Sequence, residues 1–146
     1  MDRPHAPNVV AADELEASLR RPIFNAWLGL RLKELAEDSI TVSMPGRPEI
    51  VSSPEGRYVH GGVLAALLDA AAYYALEAKL GRGSPSVDLQ IDYLRSAPEG
   101  PLEAQARVVK LGTRLSVVEA RIVREDGKLV ATGRVAFLVS EPARDP

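Results

Sequence analysis

The chain has 146 residues, a formal net charge of −2 and no cysteine. That length suits one domain with a single core, and the charge leaves no basic footprint for nucleic acid. The missing cysteines exclude a disulfide framework, a thiolate nucleophile and thiolate metal sites, and two histidines, His5 and His60, are too few and too far apart for a histidine-based metal site.

The N-terminus, Met-Asp-Arg-Pro-His, lacks the apolar core of a signal peptide, so a soluble, cytoplasmic protein is expected. Residues 1–10 hold two prolines and read as a loose tail. Residues 11–20 are amphipathic and predict a short helix, with Asp13 in its N-cap region and Pro22 beyond its end. Ile23, Phe24, Trp27 and Leu28 form an apolar cluster expected to cover one edge of the core. Leu28, Leu30 and Leu32 alternate with Gly29, Arg31 and Lys33, and Ile40, Val42 and Met44 alternate with Thr41 and Ser43. This period of two predicts two half-buried strands. Residues 45–57 contain three prolines and two glycines and predict a loop.

His60-Gly61-Gly62 then opens the dominant element, a helix over residues 61–80. Of the fourteen residues from Val63 to Leu76, thirteen are apolar or tyrosine. Ala and Leu favour the helix, and a helix apolar on every face is a buried one. It falls short of the ~20 apolar residues that a membrane span needs, and it carries Asp69. Gly81-Arg82-Gly83 supplies its C-cap. Val87, Leu89, Ile91 and Tyr93 alternate with Asp88, Gln90 and Asp92. Leu102, Ala104, Ala106 and Val108 alternate with Glu103, Gln105 and Arg107. Residues 115–124 and 129–139 form a hairpin across Asp126-Gly127. The sum is α+β, a single domain over residues 11–140 with a short tail at 141–146. About six mostly antiparallel strands curve around one long helix. Free strand edges and a helix flank predict a dimer or higher oligomer.

Asp69 is the exception within the apolar helix, and an unpaired buried carboxylate is costly. It reads as a catalytic base or nucleophile, or else as a structural aspartate satisfied by hydrogen bonds. Gly61 and Gly62 stand where the first helix amides lack intrahelical acceptors and the helix dipole is positive. They are candidates to polarise a carbonyl, or else small residues that permit tight helix–sheet packing. His60 reads as a helix-entry hydrogen bonder rather than a catalyst.

The arrangement resembles the hotdog fold, and most closely the phenylacetate-degradation type of acyl-CoA thioesterase. His60-Gly61-Gly62, Asp69 nine positions after the histidine and the segment Ser86-Val87-Asp88-Leu89-Gln90-Ile91-Asp92-Tyr93-Leu94-Arg95 carry the likeness. The resemblance implies hydrolysis of an aryl- or fatty-acyl-CoA without a metal or other cofactor, coenzyme A being part of the substrate. It implies that the Gly61 amide polarises the thioester carbonyl, that Asp69 activates water or attacks directly, and that Ser86 positions the water. Strict alternation places Ser86 with Asp88, Gln90 and Asp92, away from the helix. One position departs from the pattern. Where some members carry Asn or Gln as a second carbonyl donor, this chain has Pro54 between Ser53 and Glu55.

Asp69 lies eight residues beyond Gly61, ~12 Å along a helix axis at ~1.5 Å per residue. One carbonyl cannot meet both groups of one helix, so Asp69 of one subunit is expected to face Gly61 of another in a homodimer, with a dimer of dimers as the fuller assembly. His60, Tyr73, Arg95 and Arg114 are assigned to substrate binding, with Arg57, Arg82 and Lys110 as further phosphate candidates. Tyr73, like Tyr74, reads as core and interface packing more than as chemistry. Two other activities remain open: an acyl-thioester dehydratase or hydratase using His60 and Asp69 as acid and base, and a non-catalytic acyl-CoA-binding module.

Overall fold

The computed structural model describes residues 5–140. Three α-helices, α1 (Ala12–Arg20), α2 (Ile23–Leu28) and α3 (Gly61–Leu80), accompany six strands: β1 (Arg31–Leu35), β2 (Ile40–Met44), β3 (Ser86–Tyr93), β4 (Leu102–Lys110), β5 (Leu115–Arg124) and β6 (Leu129–Leu138). The strands form one antiparallel sheet in the order β1-β2-β4-β5-β6-β3. It wraps α3, and this is the hotdog arrangement.

The inner face of the sheet explains how an alanine-rich helix sits so close. Register aligns Val42, Ala104, Ile122, Ala131 and Tyr93 in one row, and Ile40, Ala106, Ala120, Gly133 and Ile91 in the next. The middle of the second row is small, and the first has alanine on either side of Ile122. At Gly133, a Cβ would stand 2.6 Å from the Gln90 carbonyl oxygen and 2.7 Å from a Leu68 methyl. Glycine there lets the helix and β3 approach together. Leu67, Leu68, Ala71, Ala72 and Ala78 of α3 are wholly enclosed. Burial of this kind is the main stabilising term, at about 25 cal/mol per Å² of apolar surface.

The long helix begins and ends where the sequence places it, with His60 as N-cap and Gly81 as a left-handed C-cap at φ 73°. The Asp126-Gly127 hairpin is present, with Gly127 at φ 81°. Four expectations need correction. Asp13 is not a cap: the N-cap of α1 is Ala11, which offers no side-chain bond, and Asp13 lies in the first turn. The strand expected from Leu28 starts later, because Leu28 closes α2 and Gly29, at φ 73°, ends it. Of the cluster expected to cover the core, only Leu28 is buried; Ile23 is 89% exposed, while Phe24 stacks on Trp27 and the Arg47 guanidinium lies 4.3 Å from the Trp27 ring centre. The short helix α2 turns that face outward. Residues 6–9 are not a loose tail. The buried Lys79 ammonium donates to the Ala6 carbonyl at 2.6 Å, and the Val9 N–H donates to the Ala78 carbonyl at 2.7 Å. A buried lysine needs acceptors, and the Ala6 and Glu37 carbonyls supply them. The expected tail at 141–146 and residues 1–4 lie outside the described residues.

Candidate functional site

The start of α3 is held by the strand and loop before it. The His60 N–H donates to the Ile50 carbonyl at 2.8 Å, and the His60 carbonyl accepts from the Val63 and Leu64 amides at 2.9 and 3.2 Å. The His60 imidazole folds back as a cap: its Nδ1 accepts from the Gly62 N–H at 2.8 Å. That bond requires Nδ1 to be unprotonated. The Gly61 carbonyl accepts from the Tyr93 hydroxyl at 2.7 Å. Among the described residues the Gly61 N–H alone in this group has no acceptor. Two amides were expected to be available for a carbonyl. The structure commits Gly62 to His60 and leaves Gly61.

Asp69 sits two turns on. Its Oδ1 is buried and makes no hydrogen bond. Burial pushes the carboxyl pKa up from its ordinary 3.8, and the neighbouring Ser86 hydroxyl offsets part of that rise. Strict alternation placed Ser86 on the outer face. A register shift between Ser86 and Asp88 reverses this: Asp88 pairs with the outward Ala136, while Ser86 pairs with the fully buried Phe137. The extra residue, Val87, is a β-bulge, and a bulge re-aims the side chain beside it. Ser86 is thereby brought to Asp69. On α3, the partly or fully exposed positions Gly62, Ala66, Asp69 and Tyr73 recur at intervals of four, three and four. They mark one open stripe along the helix, widened near its start by the partly exposed Gly61, Val63 and Ala65.

Tyr73 stands in that stripe but behaves as packing. Its ring meets Tyr74 and Phe137 edge-on, at centroid distances of 4.9 and 6.4 Å. Its hydroxyl fills the space a Cβ would occupy at Gly83, 1.8 Å away. Burial and the Glu77 carboxylate push its pKa up. The basic candidates divide between the two ends of the sheet. Arg57 is paired with Glu99, Arg82 donates to the Ser140 carbonyl at 3.1 Å and Arg95 to the Leu129 carbonyl at 3.3 Å. Arg114 and Lys110 flank the β4–β5 turn, whose neighbour Leu138 is bonded to Pro85 beside Ser86. Arg57 adopts φ 49°, a left-handed conformation uncommon for arginine, in the loop that leads to His60. At the position of the second carbonyl donor, Pro54 has no N–H, and the neighbouring Ser53 hydroxyl accepts from the Gly56 N–H at 3.1 Å while keeping its own O–H to donate.

A groove of about 760 Å³ lies elsewhere, on the outer face of the sheet, lined among others by Thr41, Gln105, Arg121 and Arg134. None of the expected site residues lines it. Two of its arginines are spent on neighbours, Arg107 on Glu119 at 3.3 Å and Arg121 on Gln105 at 2.8 Å. It lacks the unpaired buried carboxylate oxygen that Asp69 supplies on α3. The residue that sequence reasoning passed over is Tyr93. It belongs to the inward set of β3, but only the fold shows that the end of that strand reaches the start of α3.

Comparison with known proteins agrees with this geometry. The model of the thioesterase superfamily matches residues 56–131. A solved protein described as from the thioesterase superfamily is 40% identical with a TM-score of 0.86, covering 88% of this chain and 98% of its own. The PaaI protein of the phenylacetic acid degradation operon of E. coli is 26% identical with a TM-score of 0.78, covering 86% and 89%. The medium/long-chain acyl-CoA thioesterase YigI of Salmonella typhimurium is 25% identical over 132 residues, 80% of this chain and 84% of that protein. The match spans the helix start, Asp69 and the strands that hold them, and the chain belongs to the thioesterase superfamily.

Proposed function

We propose that this thioester hydrolase cleaves acyl-CoA to a free acid and coenzyme A, with the Gly61 N–H as oxyanion donor and Asp69 as base or nucleophile. The observation that carries the proposal is the pairing of one unpartnered helix-start amide with one buried, unbonded carboxylate oxygen, in a fold otherwise closely satisfied. In the general-base route, Asp69 takes a proton from a water held by Ser86, and the water oxygen attacks the carbonyl carbon. Charge develops on the carbonyl oxygen, where the Gly61 N–H and the dipole of α3 receive it. The tetrahedral adduct collapses, the C–S bond breaks, and the thiolate leaves and takes up a proton. In the covalent route, Asp69 itself attacks and water resolves the anhydride. The raised pKa of Asp69 suits both a proton acceptor and a proton donor to the leaving thiolate.

Gly61 and Asp69 of one chain are ~12 Å apart along the helix, so the site is completed by Asp69 of the partner subunit in a homodimer. The unpaired edge of β3 favours such association. It is the outer strand of the sheet, and it carries exposed Val87 and Tyr93, with Leu94 following. The name of YigI supports an acyl-CoA substrate, and the likeness to PaaI supports the fold. The capping bond engages His60 Nδ1 and places the imidazole proton on Nε2, so the hydratase reading is decided by assay.

Purified protein is assayed for free thiol from aryl-, short- and long-chain acyl-CoAs, beside Asp69→Asn. Thiol release by wild type and its loss in the variant are expected. No release from any substrate, or equal release by the variant, overturns the proposal. Hydration of an alkenoyl-CoA in the same samples would instead support a hydratase.

A further inference from the structure

We propose that Tyr93 is a positioning residue for the Gly61 oxyanion donor, acting with His60 as a clamp on the Gly61–Gly62 peptide group. The Gly61 carbonyl and the Gly62 N–H belong to one rigid planar unit. The Tyr93 hydroxyl donates to the first at 2.7 Å, and His60 Nδ1 accepts from the second at 2.8 Å. The unit is therefore gripped at both poles. The peptide group before it is gripped at its carbonyl, which takes the Val63 and Leu64 amides. The free Gly61 N–H belongs to this preceding plane, so the donor is held on its own side by the His60 carbonyl bonds and across the Gly61 Cα by the clamp.

The glycines make such a clamp necessary. Two in succession give the backbone unusual freedom, which a catalytic donor cannot use. Glycine at 61 also eases the clamp. A Cβ there would stand 3.3 Å from Tyr93 Cζ and 3.4 Å from its hydroxyl oxygen, so an added methyl would press the ring back by a few tenths of an ångström. A carbonyl has two lone pairs, so the tyrosine bond adds to the helix bonding rather than displacing it. One strand thus serves both halves of the chemistry. The first residue of β3, Ser86, attends Asp69, and its last, Tyr93, attends Gly61. A slip of β3 would disturb both.

The inference rests on the thioesterase reading, and its test separates the two. Tyr93→Phe keeps the ring on Gly61 and deletes the hydroxyl. Loss of one neutral hydrogen bond predicts a kcat about five- to tenfold lower. KM is expected to stay near the wild-type value, because the bond acts on the donor rather than the substrate. Tyr58→Phe, at an exposed tyrosine outside the clamp, is expected to match wild type. Unchanged kcat in Tyr93→Phe, or a raised KM at constant kcat, overturns the proposal. Amide exchange followed by NMR reads the clamp without turnover. The Gly62 N–H is expected to exchange several-fold faster in Tyr93→Phe, with the middle of α3 unchanged. Equal exchange overturns the clamp. If wild type releases no thiol, the thioesterase reading fails, and the exchange result alone decides whether Tyr93 holds the peptide.

Discussion

His60 caps α3 through its own side chain, with Nδ1 accepting from the Gly62 N–H at 2.8 Å two residues on. The bond removes Gly62 from the pool of free donors and makes Gly61 the first helical residue. Proline is tolerated at that position, since its missing N–H would be unpaired in any case. His60, at φ −59° and ψ 134°, already has the extended conformation that a following proline requires. Gly61→Pro therefore deletes the proposed donor with the least damage to the helix. Its kcat is expected to fall about 10²- to 10³-fold, the usual cost of one lost oxyanion donor. Gly61→Ala keeps the N–H and should lose less. Circular dichroism of both variants checks that α3 persists, and a fully active Gly61→Pro would remove Gly61 from the mechanism.

Asp69 has a pH signature in both stability and rate. Burial raises its pKa, so the folded chain holds this proton to a higher pH than the unfolded chain. The stabilising contribution is complete below the unfolded value and is lost as pH rises through the folded value. Asn has no charge to bury at any pH. Asp69→Asn should therefore gain stability over wild type between acid and neutral pH, read as a widening gap in urea midpoints. The same variant should be about 10²- to 10⁴-fold slower. In wild type, the acid limb of kcat/KM should lie above the ordinary aspartate value. A variant less stable than wild type at neutral pH would mean that the carboxylate is satisfied after all.

Gly133 sets how closely helix and sheet approach. The neighbour of an added Cβ is the Gln90 backbone oxygen, at 2.6 Å, which cannot step aside as a flexible side chain would. Gly133→Ala should cost about 1–3 kcal/mol by overpacking. Thermal unfolding measures it. Because Gln90 and Gly133 share the β3–β6 pairing that carries Ser86 and Tyr93, activity should fall with stability.

The sequence displays α3 in full, because its composition, its capping glycine and its one aspartate are local signals. The alternation of β4 and the Asp126-Gly127 turn that joins β5 to β6 are legible for the same reason. Leu28 misleads, since an apolar residue at a helix end and one at a strand start look alike until Gly29 is seen to adopt a left-handed turn. Ser86 misleads because period two assumes an unbroken ladder, and the bulge at Val87 exchanges its face. Gly62 looks as available as Gly61, and only the folded imidazole of His60 distinguishes them. Tyr93 gives no sequence signal of its own, because its contact with Gly61 joins positions 32 residues apart.

The division of one helix into two half-sites is the central claim, and hybrid dimers test it most directly. Asp69→Asn and Gly61→Pro are each expected to be inactive as pure proteins. Mixed under conditions of confirmed subunit exchange, they form hybrids in which one site pairs an intact Gly61 with an intact Asp69 of the partner subunit. Random pairing at equal concentrations should restore about a quarter of wild-type thiol release, since half the dimers are hybrid and one site in each is whole. No recovery, with exchange confirmed, would place both groups in the same subunit's site and contradict the account.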